Sequence, residues 1–216
     1  GHGDDAYGLG MSVSSSNPAD FAWAETTHQN PLGRNFSNAR IFTLGTFGGG
    51  GLLAQIDRSD PFLLPTNKES DELIETNIYV PLNGHRITLS PIGDGEVRIF
   101  GMSLESEGPG VLVDSIGIRG RQAKTWLQWN ETILRDMLSI LHPDIIVLAY
   151  GTNEANDTDY DMDHYERDLR AVLDKMQRVH PTSSCILVGP SDRGSKINDN
   201  EYIVWERTQL VAEVQR

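Results

Sequence analysis

The chain has 216 residues, with 18 basic against 31 acidic side chains and a formal net charge of -13. This acidity would repel a phosphate backbone, so we expect no nucleic-acid partner. The single cysteine, Cys185, excludes an internal disulfide framework and a cysteine-based zinc site. No run of residues reaches the ~20 apolar positions of a membrane helix, so no transmembrane segment is predicted.

Residues 1–105 are typical of a small antiparallel β module. The segments "HRITL" and "EVRIF" alternate polar with apolar residues, which indicates half-buried strands. The intervening "PIGDGE" contains Asp-Gly and predicts a tight hairpin. The glycine-rich "GTFGGGGLLAQ" lacks the Lys-Ser/Thr of a phosphate loop and indicates a flexible hairpin or close strand packing. The first forty residues are too irregular to place.

From residue 106 onward, predicted strands alternate with predicted helices. The strands are "VLVDS", "IIVLAY" and "CILVG", and the last of these should bury Cys185. Helices are predicted over 122–141 and 163–179, where apolar residues recur at three- and four-residue spacing, and a last helix should begin near Asn200. This alternation predicts an α/β parallel sheet covered by helices.

Ligands of such sheets bind beyond the carboxyl ends of the strands, so the loops there are candidate site segments. The first loop offers Gly117 and Gly120, whose main-chain N–H groups could approach a ligand, although a simple tight turn is the alternative. The second places Asn153 just past a strand, where its amide could stabilise an oxyanion or make an Asx turn. Its neighbour Glu154 could orient the loop or bind substrate.

The third loop, "GPSDRGSK", and the acidic run "NEANDTDYDMD" carry weaker signals. Ser191, Asp192 and Arg193 could line the cleft or serve only as turn residues. The acidic run lacks the ligand spacing of an EF-hand, so a solvated loop is expected there rather than a calcium site.

The stretches "VLVDSIGIRGRQ" and "VLAYGTNEAND" resemble the second and third conserved blocks of the SGNH, or GDSL, hydrolases. The resemblance covers residues 106–194 and implies a flavodoxin-like core that hydrolyses esters by a Ser-His-Asp mechanism. It implies no metal or organic cofactor. By position, Gly120 would supply a main-chain oxyanion donor and Asn153 a side-chain donor, with Gly117 as the alternative glycine.

The nucleophile and base of that family have no convincing match in the chain. Ser103 in "FGMSLE" lies only sixteen residues before Gly120, too few for the intervening helix, so a β-module strand end is expected. The pair Asp161 and His164 in "DMDH" is better explained by helix capping, with Asp161 or Asp163 as the N-cap. We therefore expect the catalytic triad to lie outside this chain.

This layout resembles peptidoglycan O-acetylesterases that carry an inserted β domain. Residues 1–105 would be the carbohydrate-binding-like insert and residues 106–216 an incomplete hydrolase core. The resemblance implies an acetylated envelope polysaccharide as substrate and a periplasmic, cell-envelope or secreted location. The alternative is a non-catalytic polysaccharide-binding protein that keeps this scaffold without the triad.

Overall fold

A computed structural model of the chain describes residues 13–26, 33–117, 119–191, 194–198, 201–204 and 206–216. The chain divides between residues 117 and 118 into two compact units. Together the units give a mixed α/β fold with antiparallel sheets and one short parallel strand pair among the described residues.

The first unit is a β-sandwich of two four-stranded antiparallel sheets. One sheet has the strand order β1-β8-β3-β6 and the other β2-β7-β4-β5. The strands are β1 (Val13–Ser15), β2 (Ala22–Glu25), β3 (Phe36–Gly45), β4 (Gly51–Ile56), β5 (Phe62–Pro65), β6 (Glu72–Asn83), β7 (Arg86–Pro91) and β8 (Val97–Glu105).

Both sheets contribute to one apolar core. Alternate residues of each strand point inward, as Ala39 and Ile41 do on β3 and Leu52 and Ala54 on β4. The buried members are Phe36, Ala39, Ile41, Leu52, Ala54, Leu64, Ile78, Ile87, Leu89 and Val97. The period-two pattern of the sequence therefore reflects packing of the two sheets against each other.

The predicted hairpin between "HRITL" and "EVRIF" is wrong, because β7 and β8 belong to different sheets. The turn between them packs on the loop that joins β3 to β4. Asp94 accepts a hydrogen bond from Gly51 N–H at 2.7 Å. A Cβ on Gly50 would lie 2.3 Å from the Gly95 carbonyl oxygen. Close packing, one of the two interpretations of the glycine-rich segment, is confirmed.

The second unit contains four α-helices, one 3-10 helix and two strand pairs within its described residues. The 3-10 helix is Ala123–Gln128, and the α-helices are α1 (Glu131–Leu141), α2 (Thr152–Asn156), α3 (Met162–Val179) and α4 (Glu206–Val214). β9 (Ile145–Ala149) and β10 (Ser184–Val188) pair in parallel, whereas β11 (Gly194–Asn198) and β12 (Glu201–Val204) pair antiparallel.

The predicted helix over 122–141 is divided in the structure. The side chain of Asn130 accepts the N–H groups of Thr132 and Ile133, which makes it the N-cap of α1. A capping side chain competes with continued helix upstream, so the 3-10 helix ends and α1 starts afresh. His142 is the C-cap of α1 and has a left-handed conformation, with φ of 47°, so α1 ends at the predicted position.

Three other predicted features differ in the structure. Residues 111–115 form no strand, and Val111 and Val113 are 89% and 84% exposed, since no neighbouring strand pairs with them. Cys185 is exposed rather than buried. Asn200, near which a helix was expected to begin, lies outside the described residues. Residues 201–204 form β12, and helix α4 begins at Glu206. None of the described helices is long and apolar enough to cross a membrane.

Candidate active site

Asn153 joins the segment after β9 to the segment before the 3-10 helix. It is the second residue of α2, and its side-chain nitrogen donates to the Arg121 carbonyl oxygen at 2.6 Å. A primary amide has two N–H groups, so the second is left for another acceptor. Gly120 is exposed, directly precedes Arg121 and has φ of +75°, a conformation that favours glycine. The structure thus brings the segments of Gly120 and Asn153 together.

Glu154 follows Asn153 in α2 and is fully buried, with 0% of its surface exposed. One carboxylate oxygen accepts the Ala123 N–H at 2.7 Å and the other accepts the Gly151 N–H at 2.9 Å. Of the two roles that the sequence left open, these contacts fit orientation of the loop. The structure gives the Glu154 side chain no exposed surface with which to meet a substrate.

Two further side-chain hydrogen bonds connect the same segments. Gln122 donates to Asp157 at 2.9 Å, and the indole N–H of Trp126 donates to the Tyr150 hydroxyl at 2.7 Å. With the bonds of Asn153 and Glu154, residues 121–126 are fastened to residues 150–157 at four points. Several bonds between two short segments restrict their relative motion, as a site with fixed donors requires.

The backbone at position 151 requires glycine, which explains the glycine in "YGTNE" between β9 and α2. Gly151 has φ of +124°, outside the range that other residues readily adopt. A Cβ there would lie 2.6 Å from Pro190 Cδ and 2.9 Å from Val211 Cγ1. The chain can therefore leave β9 and enter α2 directly only through glycine.

A buried lysine holds the far end of the 3-10 helix. Lys175 of α3 is 5% exposed, and its ammonium group donates to the carbonyl oxygens of Trp126 and Trp129 at 2.9 and 2.5 Å. A cation suits this position because the last carbonyls of a helix carry partial negative charge. The segment that contains Gln122 and Ala123 is thus anchored to α3 as well as to α2.

The tyrosines around Glu154 stay protonated at neutral pH. Burial and then the negative charge of Glu154 raise the pKa of Tyr165 to about 12. Burial, and to a smaller extent the charge of Glu154, also raises the pKa of Tyr150, against the effect of the Trp126 hydrogen bond. Burial and the adjacent Asp168 carboxylate raise the pKa of Tyr160. These phenols can donate hydrogen bonds, but none is suited to act as a base at neutral pH.

The residues considered as nucleophile and base lie elsewhere. Ser103 is within β8 of the first unit, and its hydroxyl donates to Glu105 at 2.8 Å. Asp161 caps α3 by accepting the N–H groups of Asp163 and His164 at 2.8 and 3.0 Å, so the capping interpretation is confirmed. The His164 ring contacts the same carboxylate, and both side chains are exposed.

The remaining loop residues add little to the site. Ser191 is exposed, whereas Asp192 and Arg193 lie outside the described residues. Gly117 belongs to the first unit, and its φ is not in the left-handed region. Within the part of the chain that the structure describes, no group of three His, Cys, Asp or Glu side chains is arranged to hold a metal ion.

One contact of Glu154, the hydrogen bond with Gly151 N–H, could have been predicted from the sequence. Gly151-x-x-Glu154 has the spacing of a capping box, in which the acidic side chain returns to the N-cap N–H. Glycine has no side chain to reciprocate, so only that half of the box exists. The bond from Ala123 and the pairs Gln122–Asp157 and Trp126–Tyr150 carry no sequence signal, because they depend on how the segments meet in space.

The chain matches no family model and no curated protein. Among solved structures, it is similar to a peptidoglycan O-acetylesterase, with a TM-score of 0.56 and 17% identity. The match covers 95% of this chain and 61% of that one, so the chain spans less than two thirds of the esterase structure. At this identity the likeness shows a shared fold.

Two weaker matches are family two carbohydrate esterases. The enzyme from Cellvibrio japonicus has 14% identity and a TM-score of 0.29, with 94% of this chain and 83% of that chain covered. The enzyme from Clostridium thermocellum, solved in complex with cellohexaose, has 13% identity and a TM-score of 0.28, with 97% and 78% covered. These scores are too low to support an argument about the fold.

Proposed function

We propose that this chain contains the oxyanion-stabilising part of an SGNH-type esterase that removes O-acetyl groups from a cell-envelope polysaccharide such as peptidoglycan. In this proposal, Gly120 N–H and the Asn153 amide donate to the oxygen of the tetrahedral intermediate. Donors fixed before the reaction stabilise the charge that develops there, and one such donor contributes about 3 kcal/mol in other hydrolases.

The observation that carries the proposal is the hydrogen bond from Asn153 to Arg121. It joins the Asn153 amide to the residue next to Gly120, in a segment whose φ of +75° at Gly120 is typical of glycine. An isolated Asx turn would leave Asn153 bonded within its own loop. A contact to a segment 32 residues earlier in the chain instead favours a composite site.

Support for the substrate class comes from the fold. One solved protein of similar fold is a peptidoglycan O-acetylesterase, and the match includes 95% of this chain. A periplasmic, cell-envelope or secreted location is proposed as a consequence of such a substrate. The β-sandwich would then serve as a carbohydrate-binding-like module of the enzyme.

The proposed Ser, His and Asp of the triad lie outside the chain. Ser103 and the Asp161–His164 pair are each used within regular structure, in β8 and at the start of α3. The parallel strands β9 and β10 also leave one apolar face open, with Val147 and Ile186, which pair in register, 55% and 46% exposed. Parallel sheets are normally covered on both faces, which supports completion of this core by further elements.

The test compares the 216-residue chain with a longer chain that includes the flanking segments. We expect the longer chain to release acetate from O-acetylated peptidoglycan faster than from acetylated xylan, and the 216-residue chain to show no turnover of p-nitrophenyl acetate. Turnover by the short chain that Ser103→Ala abolishes would contradict the location of the triad. A folded longer chain that binds peptidoglycan and releases no acetate would favour the non-catalytic alternative.

A further inference from the structure

Glu154 places an acidic side chain where no solvent reaches it. Burial of a carboxylate is unfavourable unless its oxygens are hydrogen-bonded or paired. Here each oxygen has its own main-chain donor, Ala123 N–H at 2.7 Å and Gly151 N–H at 2.9 Å. Both bonds are charge-assisted, which makes them stronger than hydrogen bonds between neutral groups.

The two donors belong to different segments of the proposed site. Gly151 is the N-cap of α2, the helix that presents Asn153. Ala123 is the first residue of the 3-10 helix, which follows Gly120 closely in the chain. A single side chain therefore bridges the main chains that carry the two proposed oxyanion donors.

We propose that Glu154 is a positioning residue that holds the Gly120 N–H and the Asn153 amide at a fixed separation, an inference that rests on the proposed function. Glu154 does not touch the substrate. The bond from Asn153 to Arg121 also holds the two segments together, but it uses the amide that is proposed to donate to the oxyanion. Glu154 instead joins the segments through main-chain groups that the reaction does not need.

The two acceptor oxygens are essential to this role. A glutamine at position 154 would keep the shape of the side chain but replace one oxygen with an NH₂ group. That group would face a main-chain N–H, so one attractive contact would become repulsive. The charge of Glu154 also contributes to the raised pKa values of Tyr150 and Tyr165, which surround it.

Hydrogen exchange in the 216-residue chain tests the bridge without any assay of activity. NMR would follow the amide protons of Gly151 and Ala123 and the side-chain NH₂ signals of Asn153. In Glu154→Gln we expect at least tenfold faster exchange of one of the two amides and a shift of the Asn153 signals. Exchange rates within twofold of the original for both amides, with unmoved Asn153 signals, would overturn the inference.

The matched control is Glu166→Gln, which removes the same charge from a partly exposed position on α3. Glu166 pairs only with Arg170 one turn away in the described structure. The Glu166→Gln substitution should therefore leave the exchange rates of the Gly151 and Ala123 amides and the Asn153 signals unchanged. If Glu154→Gln does not fold, Glu154→Asp takes its place. Its shorter side chain keeps the charge but cannot span both donors, so faster exchange of one amide is again expected, and normal protection of both contradicts the bridge.

Kinetics of the longer chain test the effect on catalysis. Well below the melting temperature, we expect Glu154→Gln to lower kcat about tenfold, with KM within twofold, since only alignment of the oxyanion donors is lost. An unchanged kcat, or an effect confined to KM, would contradict the positioning role. If the unaltered longer chain has no esterase activity, the proposed function fails, and the exchange experiment still decides whether Glu154 holds the two segments together.

Discussion

The side chain of Asn153 and the main-chain carbonyl of Arg121 lie 2.6 Å apart and join two segments separated by 32 residues in the chain. One N–H of the amide makes this bond, which fixes the plane of the side chain. Arg121 directly follows Gly120 in the chain, so the bond ties the Asn153 side chain to the segment of Gly120.

Gly151→Ala should destabilise the second unit by about 3 kcal/mol. The substitution forces a residue with a Cβ into a φ of +124° and places that Cβ against Pro190 and Val211. Urea unfolding monitored by tryptophan fluorescence measures the change.

Gly189→Ala is the control for this effect in the same unit. A Cβ at Gly189 would meet only the end of the Gln215 side chain, at 2.8 Å, and the φ of Gly189 is not in the left-handed region. We expect a loss below about 1 kcal/mol. Equal losses for the two variants would show that the turn at Gly151 is not constrained as described.

Capping by Asp161 predicts that His164 is not a catalytic base. His164→Ala should leave kcat of the longer, active chain unchanged. Asp161→Ala should lower the melting temperature, because the N–H groups of Asp163 and His164 lose their acceptor. Asp161→Asn keeps an acceptor oxygen and should retain most of the stability. Loss of activity in both His164→Ala and Asp161→Asn would instead identify the pair as catalytic.

The pair His85 and Asp57 should make the stability of the β-sandwich depend on pH. The ring nitrogens of His85 lie 2.7 Å from Asp57 Oδ2 and 2.8 Å from the Pro81 carbonyl oxygen. Both partners only accept hydrogen bonds, so both nitrogens must carry protons. The hydrogen bond to Asp57 accordingly raises the pKa of His85, against an opposing effect of burial, and the same bond lowers the pKa of Asp57.

The sign of the effect follows from these two shifts. The contribution of His85 is complete below its unfolded pKa of ~6.5 and is lost as the pH rises through the raised folded value. The contribution of Asp57 is present above its unfolded value of about 3.8 and is lost as the pH falls through the lowered folded value. Unfolding free energy should therefore be highest at about pH 4 to 6 and fall by about 1 kcal/mol at higher pH. In His85→Gln the decrease above pH 6 should disappear, and its persistence would assign it to another group.

Much of the local structure followed from residue patterns. The spacing of apolar residues predicted α3, and the Asp161 cap was foreseen because a short acidic side chain accepts the first N–H groups of a helix. The end of α1 at Leu141 also agrees with the predicted helix end. The pairing of the strands was not foreseen, because the sequence of the turn between β7 and β8 is typical of a hairpin. In the structure, Asp94 and Gly95 of this turn instead pack on the neighbouring loop. Local chemistry predicts a turn but not which sheet the next strand joins.

The candidate site shows the same division. Gly120 and Asn153 were chosen because their residue types and positions suit oxyanion donors. The burial of Glu154 was missed, because an acidic residue after a strand normally lies in solvent. The hydrogen bond of Glu154 with Gly151 N–H could be predicted from their spacing, which is that of a capping box. Its bond with Ala123 N–H could not, because it forms between two segments that are distant in the sequence.

The most direct test of the proposed oxyanion site is the kcat of Asn153→Ala in the longer chain, measured beside Asn156→Ala, which alters an exposed asparagine of the same short helix. We predict that Asn153→Ala lowers kcat by about 10²–10³ with little change in KM, and that Asn156→Ala has no effect. An Asn153→Ala enzyme that is folded and hydrolyses the acetyl ester at the original rate would contradict the central claim.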